Sequence, residues 1–351
     1  MENIMEYLNA AVQLAASDIF IVPGAPVSAK VDGQLRSMGG EKIMPAAGES
    51  LIKQIYALAD RSMDGFIAGG DDDFSFAVAG LARFRVNTYR QRGSLAAVIR
   101  VVAFSIPDWQ SLCIPPQVMA LAEQTNGMIL FCGTAGSGKS TTLACLVDKI
   151  NRERACHIVT LEDPIEYLHR NMKSIVSQRE IAVDTADYLS GLRACLRQSP
   201  DVIQLGEMRD LETIRTAMTA AETGHLLLGT LHTKGAVHTI DRIIDVFPPD
   251  QQSQIRVQLS SVLRTVVSQQ LLPDVDGGQI PAFEIMHITS AISSMIRDGK
   301  NHQIDSAIAA GAGDGMLSMD GSILELYRRG RITAETALGY CENAEQMKRR
   351  M

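Results

Sequence analysis

Two patterns of apolar and polar positions divide this chain, and the first predicts strands covered on one face. Three successive runs alternate between apolar and polar residues: FSFAVAG (74–80), LARFRVNTYRQRG (81–93) and SLAAVIRVVA (94–103). A period of two is typical of strands with one buried face, so these runs predict an antiparallel meander. Upstream, the pattern predicts two short strands with a turn at Asp32–Gly33 and a helix over residues 49–61. The first part of the chain is therefore expected to be an α+β domain.

The second pattern consists of continuous apolar runs that alternate with helical segments. The runs are MILFCG, HIVTLED, SIVSQ, VIQLGE and HLLLGTLH, and the helices are predicted at 138–152, 187–198, 211–223 and from about 236. Strands without alternation are buried on both faces, which predicts a mostly parallel α/β sheet. Beyond Pro249 we expect mainly helices, the longest over 251–272, and a frayed tail EQMKRRM.

A proline-containing segment separates the two patterns. Residues 104–116 contain Pro107, Pro115, Pro116 and the single tryptophan, Trp109, and they fit neither period. Such a segment is typical of a connection between domains. We therefore predict an N-terminal domain over 1–103, a linker over 104–116 and a second domain over 117–351.

Composition and charge narrow the class of protein. The chain is 46% hydrophobic and 21% charged, as in soluble globular proteins, and its 33 basic against 40 acidic residues give a net charge of -7. An acidic balance argues against direct binding of nucleic acid. The six cysteines form no C-x-x-C pair, and no run of 18 apolar residues or basic-then-apolar N-terminal signal is present. We expect a cytoplasmic protein that reaches a membrane only through partners.

The clearest chemical signal is a phosphate-binding loop. The segment that matches G-x-x-x-x-G-K-[ST] lies between an apolar strand and a helix and consists of Gly133, Thr134, Ala135, Gly136, Ser137, Gly138, Lys139, Ser140 and Thr141. Its glycines let backbone N–H groups surround a phosphate, Lys139 reaches the β- and γ-phosphates, and the Ser140 hydroxyl is a ligand for Mg²⁺. The sequence therefore predicts ATP with Mg²⁺ as the bound cofactor pair.

Carboxylates follow two of the predicted parallel strands. Glu162, Asp163 and Glu166 come at the end of HIVTLED, and Glu207 ends VIQLGE, where Gly206 stands at the position of the usual Mg²⁺-binding aspartate. Ligands of open α/β sheets bind at the carboxyl ends of the strands. We expect Glu207 to orient water or Mg²⁺-bound water and one of the other carboxylates to take part in catalysis.

Histidines and arginines complete the candidate set. His232 ends a strand predicted to run parallel to that of Glu207, so it is a candidate γ-phosphate sensor, whereas His225 lies at the opposite end. Arg83 and Arg85 share one strand face, and Arg90 follows them. Arginines that enter from a second element or subunit stabilise the charge of a transferring phosphoryl group.

These segments in their order resemble a known family. GTAGSGKST, TLEDPIEY, DVIQLGEMRDLETIRTAMTAAETGHLLLGTLHT and RFRVNTYRQRG are similar to segments of the secretion and pilus-motor ATPases, and most similar to the pilus-retraction (PilT) family. AISSMIRDGK (291–300) and MDGSILELYRRGRITAETAL extend the resemblance over nearly the whole chain. In the first of these, Ser293 and Ser294 replace an Arg-Asn pair that is linked with retraction in the family.

The resemblance implies an α/β protein with a PAS-like N-terminal α+β domain followed by a RecA-like P-loop ATPase domain with C-terminal helices. It further implies a ring-shaped homo-hexamer that hydrolyses ATP to drive type IV pilus retraction. The implied partners are an inner-membrane pilus platform protein and the pilus base, at the cytoplasmic face of the inner membrane.

The resemblance also assigns roles to single residues. Glu207 becomes the Walker B glutamate, one glutamate of the Asp box (Glu162, Asp163, Glu166) becomes the base, and His225 and His232 form the His box. Arg83, Arg85 and Arg90 approach the nucleotide from the N-terminal domain.

Four other functions remain as alternatives. An accessory retraction motor shares all of these motifs. Extension motors and type II secretion ATPases share the core, but they often carry a four-cysteine zinc insertion, and this sequence has none. A nucleotide-dependent scaffold without turnover and a nucleic-acid translocase come from other classes, and the acidic charge disfavours the second.

Overall fold

The alternating runs of the N-terminal part form an antiparallel sheet. In the computed structural model, which describes residues 3–31, 33–102 and 106–351, its strands are β1 (Asp18–Ile21), β2 (Ser28–Val31), β3 (Gln34–Ser37), β4 (Asp71–Val78), β5 (Ala82–Gln91) and β6 (Ser94–Val102). The strand order is β3-β2-β1-β6-β5-β4. The predicted three-stranded meander is therefore confirmed as β4–β6.

Three helices cover one face of this sheet. They are α1 (Ile4–Gln13), α2 (Pro45–Leu58) and α3 (Asp64–Gly69). Alternate residues of the strands, such as Phe74, Phe76, Phe84 and Val86, are buried with them in one core, as a period of two requires. Upstream, three short strands replace the two that were predicted, and of the predicted turn Asp32 lies outside the described residues.

The chain divides into two compact units, 1–105 and 106–351. Residues 103–105, where the predicted domain boundary and the start of the linker fall, lie outside the described residues. The rest of the predicted linker packs within the second unit: Ile114 is buried, and Trp109 and Leu112 are partly buried against the same core.

The second unit is built on a seven-stranded sheet. Its strands are β7 (Gly127–Cys132), β8 (His157–Glu162), β9 (Ile175–Glu180), β10 (Val202–Leu205), β11 (Leu226–Leu231), β12 (Leu263–Pro273) and β13 (Gln279–His287). They lie in the order β13-β12-β7-β11-β10-β8-β9. All pairs are parallel except β12–β13. The predicted mostly parallel sheet is confirmed, and β7, β10 and β11 are buried along their whole length.

Helices cover both faces of this sheet. They are α4 (Pro116–Met119), α5 (Lys139–Glu153), α6 (Tyr188–Cys195), α7 (Leu211–Glu222), α8 (Ala236–Asp245), α9 (Pro249–Val262), α10 (Ser290–Arg297), α11 (Ile304–Ala310), α12 (Met319–Arg328), α13 (Ala334–Tyr340) and α14 (Ala344–Arg350). Helices α4 and α5 bury their apolar residues on one face, and α6 to α11 pack on the other. Helices α12 to α14 enclose the far ends of β12 and β13.

Two predictions for the C-terminal part are wrong. The helix expected over 251–272 ends at Val262, and the chain continues as β12 because residues 263–268 pair with β7. Thr265, Val266 and Val267 are β-branched and fit a buried strand. The tail expected to fray instead forms α14, which is held by the buried Met347. Among the described residues, no helix is long and apolar enough to cross a membrane.

Candidate active site

The carboxyl ends of four adjacent parallel strands bring the predicted motifs together. In the order β7, β11, β10 and β8, these ends lead into the phosphate-binding loop, His232, Glu207 and Glu162. They line one cleft of about 550 Å³ together with residues of α5, including Lys139, Ser140 and Thr141. The sheet topology therefore places the loop and the acidic groups at a common edge, as ligand sites of such sheets require.

The phosphate-binding loop is shaped by its glycines and by β12. Gly138 has φ 88° and caps α5, a conformation that a side chain would strain. A Cβ on Gly138 would lie 2.7 Å from Gln269 Nε2. The oxygen of the same side-chain amide, Gln269 Oε1, accepts a hydrogen bond of 2.8 Å from the Thr142 hydroxyl. Gln269 of β12 thus braces both the loop and the first turn of α5.

The side chain of Lys139 is hydrogen-bonded to backbone carbonyl groups of the phosphate-binding loop. Its Nζ donates to the carbonyl oxygens of Gly133 at 2.7 Å and Thr134 at 2.9 Å. Burial lowers the pKa of Lys139, although the negative charges of Glu207 and Glu166 partly oppose this effect. A poorly solvated ammonium beside carbonyl groups gains strongly from a phosphate, which offers it a full negative charge.

Glu207 is oriented by two neighbours. Its carboxylate oxygens lie 2.5 Å from Arg209 Nη2 and 3.4 Å from His232 Nε2. Strand β11 runs parallel to β10, as the sequence predicted, and the pairing of the two strands places His232 beside Glu207. These contacts hold Glu207 at the cleft wall, where its charge also acts on Lys139.

The two glutamates of the Asp box have different surroundings. Glu162 is half-buried, and its Oε1 accepts hydrogen bonds from Thr160 at 2.5 Å and Gln178 at 3.0 Å. Burial raises the pKa of Glu162 above its usual value, and the hydrogen bonds only partly oppose the shift. Glu166 is exposed at the rim of the same cleft. A carboxyl group with a raised pKa in a cleft has the property expected of a general base.

Gly206 has no room for the aspartate that P-loop proteins usually carry there. A Cβ at this position would lie 2.8 Å from Tyr188 Oη, 3.0 Å from Leu161 O and 3.3 Å from Glu162 Cα. Two of these neighbours are backbone atoms that cannot rotate away. Crowding by β8 and α6 therefore accounts for the glycine.

Several residues in or beside the cleft were not predicted from the sequence. Tyr188 lines the cleft, whereas Gln178 and Gln269 contact Glu162 and Thr142 from separate elements. Tyr167, whose hydroxyl lies 2.8 Å from Thr141 Oγ1, is part of an irregular segment. Gln204 interrupts an apolar run, so the sequence marks it as unusual. Only the structure shows that Gln204 is buried in the wall of the cleft.

The remaining predicted residues lie elsewhere. Arg83, Arg85 and Arg90 are all on β5 of the first unit, and Arg90 donates to the Ile67 carbonyl. Their approach to a nucleotide stays a prediction. His225 is at the amino end of β11, where its Nδ1 lies 2.9 Å from the Ala220 carbonyl oxygen.

A phosphate-binding loop with its lysine, a half-buried carboxyl group and an oriented glutamate at the ends of parallel strands define a P-loop ATPase. The chain belongs to the type II/IV secretion system protein family, whose model matches residues 1–308. It is 41% identical over 335 residues to the type IV pilus retraction ATPase PilT of Pseudomonas aeruginosa, covering 95% of this chain and 97% of that protein. It is 45% identical over 276 residues to a twitching motility protein of Neisseria gonorrhoeae, covering 78% of this chain and 74% of that protein.

A solved structure extends the similarity to three dimensions. The crystal structure of the pilus retraction motor PilT with bound ADP has a TM-score of 0.90 and 41% sequence identity, and the match covers 99% of this chain and 100% of that chain. The mixed α/β fold of a secretion ATPase and the predicted resemblance to the PilT family are thereby confirmed.

Proposed function

We propose that this chain is the ATPase motor that drives retraction of a type IV pilus, and so twitching motility. The observation that carries the proposal is a P-loop cleft with Lys139, Glu162 and Glu207 in a chain similar over almost its whole length to a PilT protein.

The cleft supports a division of roles among its residues. Lys139 exchanges the carbonyl oxygens of Gly133 and Thr134 for the β- and γ-phosphates of ATP. Glu162 accepts the proton of the attacking water because its surroundings raise its basicity. Glu207, held by Arg209 and His232, orients that water.

The residues present fit Mg²⁺ bound together with the nucleotide. The described residues contain no cluster of His, Cys, Asp and Glu that would hold a metal alone, and Mg²⁺ typically uses substrate phosphates with few protein ligands. The Ser140 hydroxyl and Glu207 line the cleft and would hold the cation. When bound, the cation supplies neutralisation of the phosphate charge.

Two substitutions test the assigned roles. We expect Lys139→Ala to lose ATP binding, because a charge-assisted phosphate contact is removed. Glu207→Gln keeps the shape of the side chain but removes the charge that orients the water. We expect this variant to retain ATP while turnover falls about a hundredfold, as for a misplaced reactant. Fluorescent-nucleotide binding and phosphate release measure the two steps. An equal loss of nucleotide affinity in both variants would contradict the division of roles.

We further propose that the first unit is PAS-like, that the second is RecA-like and that six copies form a ring. A ring lets arginines of one subunit serve the nucleotide of another, which would give Arg83, Arg85 and Arg90 a function. Native mass spectrometry with an ATP analogue tests the hexamer. Mixing Arg85→Ala with Lys139→Ala subunits tests the arginine: activity that reappears on mixing shows action between subunits, and silence in every mixture with intact rings counts against it.

In the cell, the proposed partners are a membrane-embedded pilus platform protein and the pilus base, with the motor cytoplasmic and attached to the membrane only through them. A deletion strain should accumulate surface pili and lose twitching. Loss of surface pili would instead indicate an extension motor. An accessory retraction motor is the second candidate, because Ser293 and Ser294 of the AISSMIRDGK segment replace the family's Arg-Asn pair. If the chain is an accessory motor, a deletion strain should still retract its pili through another motor.

A further inference from the structure

Gln204 is a buried amide with an unfilled acceptor. It lies within β10, is 7% exposed and lines the nucleotide cleft. Its Oε1 has no hydrogen-bond partner within the described part of the chain. Buried side-chain oxygens almost always accept a hydrogen bond, so this atom is expected to meet a donor that enters the cleft.

Neighbouring hydroxyl groups do not supply that donor. Thr160 lies opposite Gln204 on β8, but its hydroxyl donates to Glu162. Thr230 of β11 donates its hydroxyl hydrogen to the Gly206 carbonyl. Leu228, which pairs directly with Gln204 on β11, has no polar side-chain group. The donor must therefore come with the ligand or its water.

Gln204 lies two residues before the position that cannot hold an aspartate. Gln204 belongs to β10, Gly206 directly follows the last residue of that strand, and both residues line the cleft. In P-loop ATPases an aspartate at the position of Gly206 interacts with Mg²⁺, whereas here the space beside Gly206 is filled. The longer side chain of Gln204 can instead offer an oxygen at the wall of the cleft.

We propose that Gln204 is a positioning residue whose Oε1 accepts a hydrogen bond from a water molecule in the hydration shell of the nucleotide-bound Mg²⁺. Mg²⁺ usually keeps several of its waters in such sites, and each of them can donate. The inference rests on the Mg²⁺-dependent ATP binding of the proposed function. It adds a neutral acceptor that Glu207 and Ser140 do not provide.

The test compares the Mg²⁺ dependence of nucleotide binding in Gln204→Leu and Gln204→Met with that of the native chain. A fluorescent non-hydrolysable ATP analogue is the probe, Mg²⁺ is titrated, and binding in EDTA is the baseline. We expect half-saturation at about fivefold higher Mg²⁺, which is roughly 1 kcal/mol at 1.4 kcal/mol per factor of ten. Binding in EDTA should not change. Gln204→Glu keeps an acceptor oxygen and adds a negative charge, so it should need no more Mg²⁺ than the native chain for half-saturation.

Thermal unfolding without nucleotide or Mg²⁺ is the second readout. Replacing an unpartnered buried oxygen by carbon should leave the melting temperature unchanged or raise it. Asn301→Leu is the matched control, because Asn301 is 5% exposed and its Oδ1 is also unpartnered among the described residues, yet it does not line the cleft. Its loss of the hydrogen bond to Asp241 should lower stability without moving the Mg²⁺ dependence.

Three outcomes overturn the inference. The first is an unchanged Mg²⁺ dependence in Gln204→Leu and Gln204→Met. The second is an equal shift in Asn301→Leu, which would trace the effect to stability. The third is a need for more Mg²⁺ in Gln204→Glu than in the native chain. If the native chain itself binds the nucleotide independently of Mg²⁺, the cation of the proposed function is wrong, and this result is distinct from the other three.

Discussion

Gly206 is crowded enough that even one methyl group should destabilise the second unit. In Gly206→Ala the new Cβ would meet Tyr188 Oη at 2.8 Å, Leu161 O at 3.0 Å and Glu162 Cα at 3.3 Å. Overpacking of this kind costs about 1–3 kcal/mol, and two backbone neighbours favour the upper half of that range. At 2–4 °C per kcal/mol for a unit of this size, we expect the melting temperature to fall by about 4–12 °C.

The Tyr188 hydroxyl allows the cause to be separated from a general effect of alanine. In a Tyr188→Phe background the nearest contact is absent, so Gly206→Ala should cost about 1 kcal/mol less than in the native chain. Gly65→Ala is the control, since Gly65 lies in α3 with open space around its Cβ position, and alanine there should be neutral or stabilising.

Thermal and denaturant unfolding of the four variants in the cycle measure the coupling. A native-like stability of Gly206→Ala would falsify the crowding argument. An identical penalty with and without the Tyr188 hydroxyl would show that the backbone neighbours alone cause it. Gly206→Asp should also fail to tighten Mg²⁺ binding, because its carboxylate cannot enter the filled space.

Three further predictions concern charged groups. Burial raises the pKa of Glu162, so the ionised carboxylate destabilises the folded state at neutral pH. Glu162→Gln should therefore raise the melting temperature at pH 8 while kcat falls. A lower melting temperature of this variant would contradict the argument from burial. Burial raises the pKa of Glu284 from 4.5 to about 7, so in this pH range the folded state holds a proton that the unfolded state releases. The free energy of unfolding should therefore decrease as pH rises from about 4.5 to about 7 and stay level above pH 7. Glu284→Gln should remove this pH dependence. Arg297 is exposed on α10, whereas Ile292 and Ile296 are fully buried. Arg297→Glu should therefore keep ATPase activity within about twofold, as for surface changes, but abolish retraction if the exposed face of α10 transmits force. Retained twitching would show that α10 is only a core element.

The sequence alone determined the features that depend on neighbouring residues. Loops of this type bind phosphate through their own backbone. In residues 133–141 the glycines, Lys139 and the following helix are contiguous, so the motif could be located without a fold. Strands β7, β8, β10 and β11 were recognisable because burial on both faces requires unbroken apolar runs. Their common direction followed from the helices between them, which placed Glu162, Glu207 and His232 at one edge.

Only the tertiary structure decided the features that depend on contacts between distant segments. The sequence pattern predicts a helix through residue 272, whereas pairing with β7 makes residues 263–272 part of β12. The pairing partner is distant in sequence, so it leaves no local pattern. Gln269 reaches the loop from 127 residues away through Thr142. Burial raises the pKa of Glu162, and Tyr188 of α6 together with backbone atoms of β8 fills the space at Gly206. Desolvation and packing depend on every neighbour at once, and these neighbours are adjacent only in the folded chain.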